Sequence, residues 1–97
     1  MKTTFKVYSD PGHGWIAVKR KMLADLGILQ SVSNYSYESK SGKTVYLEED
    51  SDARLFQETY EKVLGTLPNY QEKYTDKDSP IRSYNHFELT EKDLVSL

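Results

Sequence analysis

The chain has 97 residues, a formal net charge of −2, 29% charged residues and 12% aromatic ones. A chain this short folds as one domain over a modest core, burying roughly 60–65% of its unfolded surface. It has no cysteine, which excludes a disulfide framework and a thiolate site. No apolar run approaches the roughly 18 residues that span a bilayer. The first residues, Met1-Lys2-Thr3-Thr4-Phe5, carry no signal-peptide core, so the expected compartment is a cytoplasm. Regular apolar periodicity argues for a folded chain despite the 37% hydrophobic content. Eight tyrosines suit half-exposed surfaces, where a ring packs and its hydroxyl stays near water or a partner. Charge is unevenly placed: residues 1–46 hold a surplus of four positive groups, and 47–65 a surplus of four negative ones.

From Thr3 to Tyr8 the sequence alternates, Phe5 and Val7 on one face, Lys6 and Tyr8 on the other, which predicts a strand. Asp10-Pro11-Gly12-His13-Gly14 supplies turn chemistry, and Trp15 to Val18 reads as the return strand. Lys19 to Leu26 is a short helix with Met22, Leu23 and Leu26 at helical spacing. Gly27 is its left-handed cap, with Ile28 folding back onto the last turn. Residues 29–34 read as a loop. Tyr35–Glu38 and Thr44–Glu48 pair as a second hairpin around Lys40-Ser41-Gly42-Lys43, with Tyr35 and Tyr37 on one face. Glu49-Asp50-Ser51-Asp52 starts a second helix running to about Leu64, its stripe of Phe56, Tyr60, Val63 and Leu64 facing the core. Gly65 and Pro68 close it. Tyr70–Thr75 and Ile81–Phe87 read as two further strands, at least one an edge, joined by Asp76-Lys77-Asp78-Ser79-Pro80. Residues 90–97 form a loose helical turn or tail. The order ββαββαββ predicts an α+β fold, an antiparallel sheet with two helices on one face, with residues 1–97 as one domain.

Catalytic and metal signatures are missing. The two histidines, His13 and His86, sit in no zinc-type spacing, and no cofactor motif is present. No serine occupies a nucleophile elbow. His13 between two glycines reads as part of a surface turn, and that turn precedes a strand, so it is no phosphate cradle. A function exerted by binding, without catalysis, is the expectation. Two charge clusters offer surfaces for it. Lys19-Arg20-Lys21 beside Trp15, with Lys40 and Lys43 on the second hairpin, forms either a solvated face or a grip for single-stranded nucleic acid. Glu48, Glu49, Asp50 and Asp52, followed by Glu58 and Glu61, form either a helix cap with a solvated face or a row of carboxylates spaced like phosphates.

Four segments carry a resemblance: Tyr8-Ser9-Asp10-Pro11-Gly12-His13-Gly14-Trp15, Leu23-Ala24-Asp25-Leu26-Gly27-Ile28, the hairpin from Tyr35-Ser36-Tyr37 to Tyr46-Leu47-Glu48-Glu49-Asp50, and Ser79-Pro80-Ile81-Arg82-Ser83-Tyr84. They resemble small proteins carried by phages and other mobile elements. Within that setting the chain resembles anti-CRISPR inhibitors of the type I-F surveillance complex that mimic DNA. The resemblance implies a host bacterial cytoplasm and binding to Cas8f and Cas5f where DNA enters. Target recruitment would be blocked by occupancy. Charge alone then nominates Glu48, Glu49, Asp50, Asp52, Glu58 and Glu61 as the phosphate mimics, with Trp15, Tyr35 and Tyr37 as secondary interface residues. The alternatives are an accessory module that meets another host protein or a nucleotide signal through the tyrosine-rich hairpin, and a nucleic-acid binder using Lys19, Arg20, Lys21, Lys40 and Lys43.

Overall fold

The structure, a computed structural model, describes residues 3–95. Alternation builds β1 (Thr4–Ser9) and β2 (Gly14–Lys19) into the first hairpin, with Val7 opposite Ile16 and Tyr8 opposite Trp15. α1 (Arg20–Asp25) follows at once. Gly27, at φ 77°, ends it as foreseen, and the amide of Ile28 donates to the Leu23 carbonyl at 3.0 Å. The stretch read as loop contains a short 3₁₀ helix, Leu29–Ser31. β3 is only Tyr37–Glu38, so Tyr35 lies outside the strand. β4 (Thr44–Glu48) pairs with both β3 and β2. α2 (Asp52–Leu64) then leads to β5 (Asn69–Tyr74).

The sheet has six strands in the order β5-β1-β2-β4-β3-β6 and is mixed, which corrects the antiparallel expectation. β5 runs parallel to β1, with Thr4 opposite Asn69 and Ser9 opposite Tyr74. The cause is α2. A helical crossover returns the chain in its original direction, so β5 runs parallel to β4 and therefore to β1, on the far edge of the sheet. The segment Ile81–Phe87 is not the partner strand of β5. Ser79 caps a 3₁₀ helix, Pro80–Ser83, by accepting from the Ile81 amide, with Pro80 suited to the first helical position. Only β6 (Asn85–His86) pairs, antiparallel to β3 on the other edge. A third helix, α3 (Glu91–Val95), occupies most of the expected tail; Ser96 and Leu97 lie outside the described residues.

One sheet face carries the core. Phe5, Ile16, Val18, Val45 and Leu47 pack beneath Leu23 of α1 and Ala53, Phe56 and Tyr60 of α2. Phe5 meets Phe56 and Tyr60 edge-on at 5.1 and 5.6 Å between ring centroids. Both main helices thus lie on one face, as predicted. The α2 stripe stops at Tyr60: Val63 and Leu64 are 58% and 51% exposed, because the last turn runs beyond its contact with Phe5.

The opposite face is covered only in part. The 3₁₀ segment 80–83 closes over Trp15, held by a latch. The buried Asp10 carboxylate accepts from the Gly12, His13 and Ser79 amides and, at 2.6 and 2.8 Å, from the Arg82 guanidinium. Arg82 lies over the Trp15 ring at 5.6 Å. A Cβ at Gly12 would stand 2.8 Å from the Arg82 guanidinium, so a side chain there would push on the latch. Two segments far apart in sequence, Tyr8–Trp15 and Ser79–Tyr84, therefore meet in one latch. Arg82 holds the Asp10 carboxyl far below the usual carboxylate range.

Candidate functional site

α1 follows β2 without a break, so Lys19, Arg20 and Lys21 fan out from one strand-to-helix junction. Arg20 is not available to a partner. Its Nε donates to both Asp93 oxygens at 3.1 and 3.2 Å, its Nη2 to the Glu88 carbonyl at 2.6 Å, and its Nη1 to the Gly42 carbonyl at 3.2 Å. Glu38 lies 3.5 Å away and the Phe87 ring 4.9 Å below. Arg20 therefore ties the second hairpin and the C-terminal helix to α1. Thr90 and Asp93 complete the knot as a reciprocal cap: the Thr90 amide donates to Asp93, and the Asp93 amide to the Thr90 hydroxyl.

The Arg20 hydrogen bonds lower the Asp93 pKa from 3.8 to about 2. A carboxyl whose pKa is depressed on folding stabilises the fold above its unfolded pKa and loses that contribution as pH falls through its folded pKa. Stability is expected to drop between about pH 4 and pH 2 by about 2 kcal/mol from this group. Asp10, lowered further, adds to the loss. Urea midpoints measured at intervals from pH 6 to pH 2 check this; a flat profile would contradict the assignment.

Four lysines named from the sequence converge. Lys19 and Lys21 from the α1 side, and Lys40 and Lys43 from the tip between β3 and β4, line one open cleft of about 1260 Å³. Arg20, Asp25, Glu38 and Asp93 also line it. Lys21 pairs with Asp25 on its own helix at 3.1 Å. Among the described residues no ion pair holds Lys19, Lys40 or Lys43. Their ammonium groups leave the cleft rim positive and open to an anion.

The acidic set divides. Asp52 is 4% exposed and turns inward, accepting from the Ser33 amide, from the Ser33 hydroxyl at 2.7 Å and from the Ser36 hydroxyl at 2.5 Å. It cannot act as a surface phosphate mimic, because those two serines have claimed its carboxylate. Glu48 is half-buried and accepts from the Asp50 and Ser51 amides, which makes it the cap that Ser51 does not supply. Glu49 stands 3.6 Å from His13, and Glu58 3.6 Å from Arg54. Asp50 and Glu61 are exposed. Glu49, Asp50, Glu58 and Glu61 remain as an acidic border along α2, interrupted by Arg54 and Lys62.

The aromatic candidates divide as well. Trp15 is only 3% exposed, under Arg82 and beside Tyr37, so it is a packing residue and not an interface residue. Tyr35 is 72% exposed in the loop before β3 and does not share a strand face with Tyr37. Tyr37 is half-buried and stacks on His86 at 4.7 Å. The residues that sequence reasoning passed over are Tyr8, Tyr46 and Tyr84, which form a half-exposed row on the second sheet face. The alternation that put Tyr8 away from Phe5 was its only signal. Among the described residues no three metal-ligating side chains converge, and no helix is long and apolar enough to cross a membrane. Comparison with protein-family models, with curated proteins and with solved structures finds no match to this chain.

Proposed function

We propose that the protein is a non-catalytic binding module that holds nucleic acid by its phosphates in the lysine cleft. The observation that carries this reading is the convergence of Lys19 and Lys21 with Lys40 and Lys43, from two separate segments, on one open cleft. Backbone phosphates bound by lysines release counterions, so affinity falls with salt in proportion to the number of contacts. Labelled oligonucleotide is expected to shift with the protein alone at low salt. Lys40→Glu together with Lys43→Glu should weaken that shift. If each lysine meets one phosphate, it should also reduce the slope of log affinity against log salt by about 1.4 for a single strand. Both side chains are at the surface, so stability should change by less than about 0.5 kcal/mol. Failure of the unmutated protein to bind any oligonucleotide ends this reading.

A second reading rests on the resemblance to DNA-mimic anti-CRISPR proteins. Glu49, Asp50, Glu58 and Glu61 favour it, being exposed on α2 or just before it. These carboxylates would occupy the basic DNA site formed by Cas8f and Cas5f of a type I-F surveillance complex, in the cytoplasm of a bacterial host. The purified complex, incubated with the protein and then challenged with labelled target duplex, should lose its DNA shift at stoichiometric protein. Glu58→Lys with Glu61→Lys should restore the shift. A complex that binds DNA normally in the presence of the unmutated protein rules the mimic out.

A further inference from the structure

Whereas α1 and α2 pack on the core face, the second sheet face carries, among the described residues, only the 3₁₀ segment 80–83 over its Trp15 end. Register fixes what it presents: Lys6 lies opposite Gln71, Tyr8 opposite Lys73 and Trp15, Ala17 opposite Tyr46, and Lys19 opposite Thr44. Ala17 sits in the middle of the six-stranded sheet, yet it remains partly exposed. Around it run the three tyrosines. Tyr8 and Tyr46 are 6.1 Å apart between ring centroids at 69°, and Tyr46 and Tyr84 5.3 Å apart at 54°. The contacts are edge-on or tilted and leave part of each ring open, Tyr8 and Tyr46 being half-buried and Tyr84 37% exposed. Burial, and then the nearby Tyr84 and Tyr8, push the Tyr46 pKa up.

Charge on this face is one-sided. Among the residues that alternation places here in β1, β2, β4 and β5, the charged ones are Lys6, Lys19, Lys73 and Glu48. Glu48 lies at the Trp15 end and gives its carboxylate to the Asp50 and Ser51 amides. Lys6, Lys19 and Lys73 are exposed around the tyrosine row, and Lys19 also lines the cleft, so the two positive surfaces join. Half-open rings flanked by lysines match a polymer that offers flat apolar groups and phosphates together. Unpaired bases have open faces for such rings, whereas in a duplex the bases are stacked on one another.

We propose that this sheet face is a stacking platform for single-stranded nucleic acid, with bases on Tyr8, Tyr46 and Tyr84 and phosphates on Lys6, Lys19 and Lys73. The proposal rests on the nucleic-acid reading above and adds the strandedness and the surface. The test is fluorescence anisotropy with a labelled single strand of mixed sequence, the same sequence as duplex, and polyglutamate as competitor. The single strand should bind at least about tenfold tighter than the duplex. Tyr8→Ala should weaken the single strand roughly tenfold and leave duplex binding unchanged, while Tyr8→Phe, which keeps the ring, should bind nearly as the unmutated protein does. Lys6→Glu with Lys73→Glu should weaken the single strand severalfold through phosphates alone. Equal affinity for the two forms, with Tyr8→Ala neutral, overturns the platform and leaves the cleft reading standing. No binding of either form overturns both. Polyglutamate displacing the strand as well as unlabelled strand does, with no dependence on Tyr8, reassigns the face to an acidic peptide and overturns the proposal.

Discussion

Asp52→Ala is expected to lower the unfolding free energy by about 3 kcal/mol. The carboxylate is the hub of a buried network that joins the start of α2 to the loop before β3. It accepts from the Ser33 amide and hydroxyl and from the Ser36 hydroxyl, and the Ser36 oxygen in turn accepts from the Glu48 amide at 2.9 Å. Ser36 is fully buried. Removing the carboxylate leaves the buried Ser36 hydroxyl and the partly buried Ser33 donors without their acceptor, and an orphaned donor costs more than a made hydrogen bond contributes. Asp52→Asn should cost less, since it keeps one oxygen and the volume. Urea denaturation at pH 7 measures both; a shift for Asp52→Ala below about 0.5 kcal/mol would show that the network contributes no stability. The expected loss also decides how the acidic border must be probed. Charge reversal at Asp52 would unfold the α2 start and abolish any activity, whatever the surface does. Glu58 and Glu61 are exposed and free of that ambiguity.

What was legible in the sequence is what neighbours in sequence determine. Alternation over Thr3–Tyr8 placed Phe5 and Val7 inward, and Gly27 with Ile28 marked the end of α1. The stripe Phe56, Tyr60, Val63 and Leu64 marked the second helix, and Phe56 and Tyr60 of it are buried, while Val63 and Leu64 are exposed. What was not legible depends on partners far along the chain. Nothing local in Asn69–Tyr74 tells a strand to pair in parallel with β1; that follows from where α2 delivers it. Ile81–Phe87 has strand-like residues, but Ser79 and Pro80 turn it into a 3₁₀ helix, and Asp10 anchors the turn from across the sheet. Trp15 looked like an interface aromatic because its cover, Arg82, lies 67 positions later. The same holds for the candidate site. The lysines could be named from the sequence, but their cleft could not, since it exists only when the tip between β3 and β4 folds beside α1. Arg20 read as one more surface cation because Asp93, its partner, stands 73 residues away.

Arg20→Ala is expected to detach the C-terminal segment and to weaken nucleic-acid binding without Arg20 touching the ligand. Its guanidinium joins four places at once: Asp93 of α3, the Glu88 carbonyl, the Gly42 carbonyl at the hairpin tip, and Glu38 of β3. Its side chain and that of Asp93 are both mostly shielded from solvent, so the loss of charged hydrogen bonds should cost about 2–3 kcal/mol. A lysine cannot reproduce the planar fork, so Arg20→Lys should recover only part of this. Hydrogen exchange should show amides of Thr90–Val95 losing protection, while those of β1 and β2 change only as far as global stability does. Without the guanidinium, Asp93 loses the main cause of its lowered pKa, so the variant should lose less stability between about pH 4 and pH 2 than the unmutated protein does. The binding effect follows from geometry. The Arg20 guanidinium holds the Gly42 carbonyl at the hairpin tip that carries Lys40 and Lys43, in addition to the Arg20 amide bond to the Lys43 carbonyl, which the variant keeps. Once the guanidinium is removed the tip is tied to α1 by that backbone bond alone and gains freedom, and ordering it again on binding reduces affinity. A variant that loses C-terminal protection yet binds oligonucleotide at full strength would show that the lysines converge without the clamp.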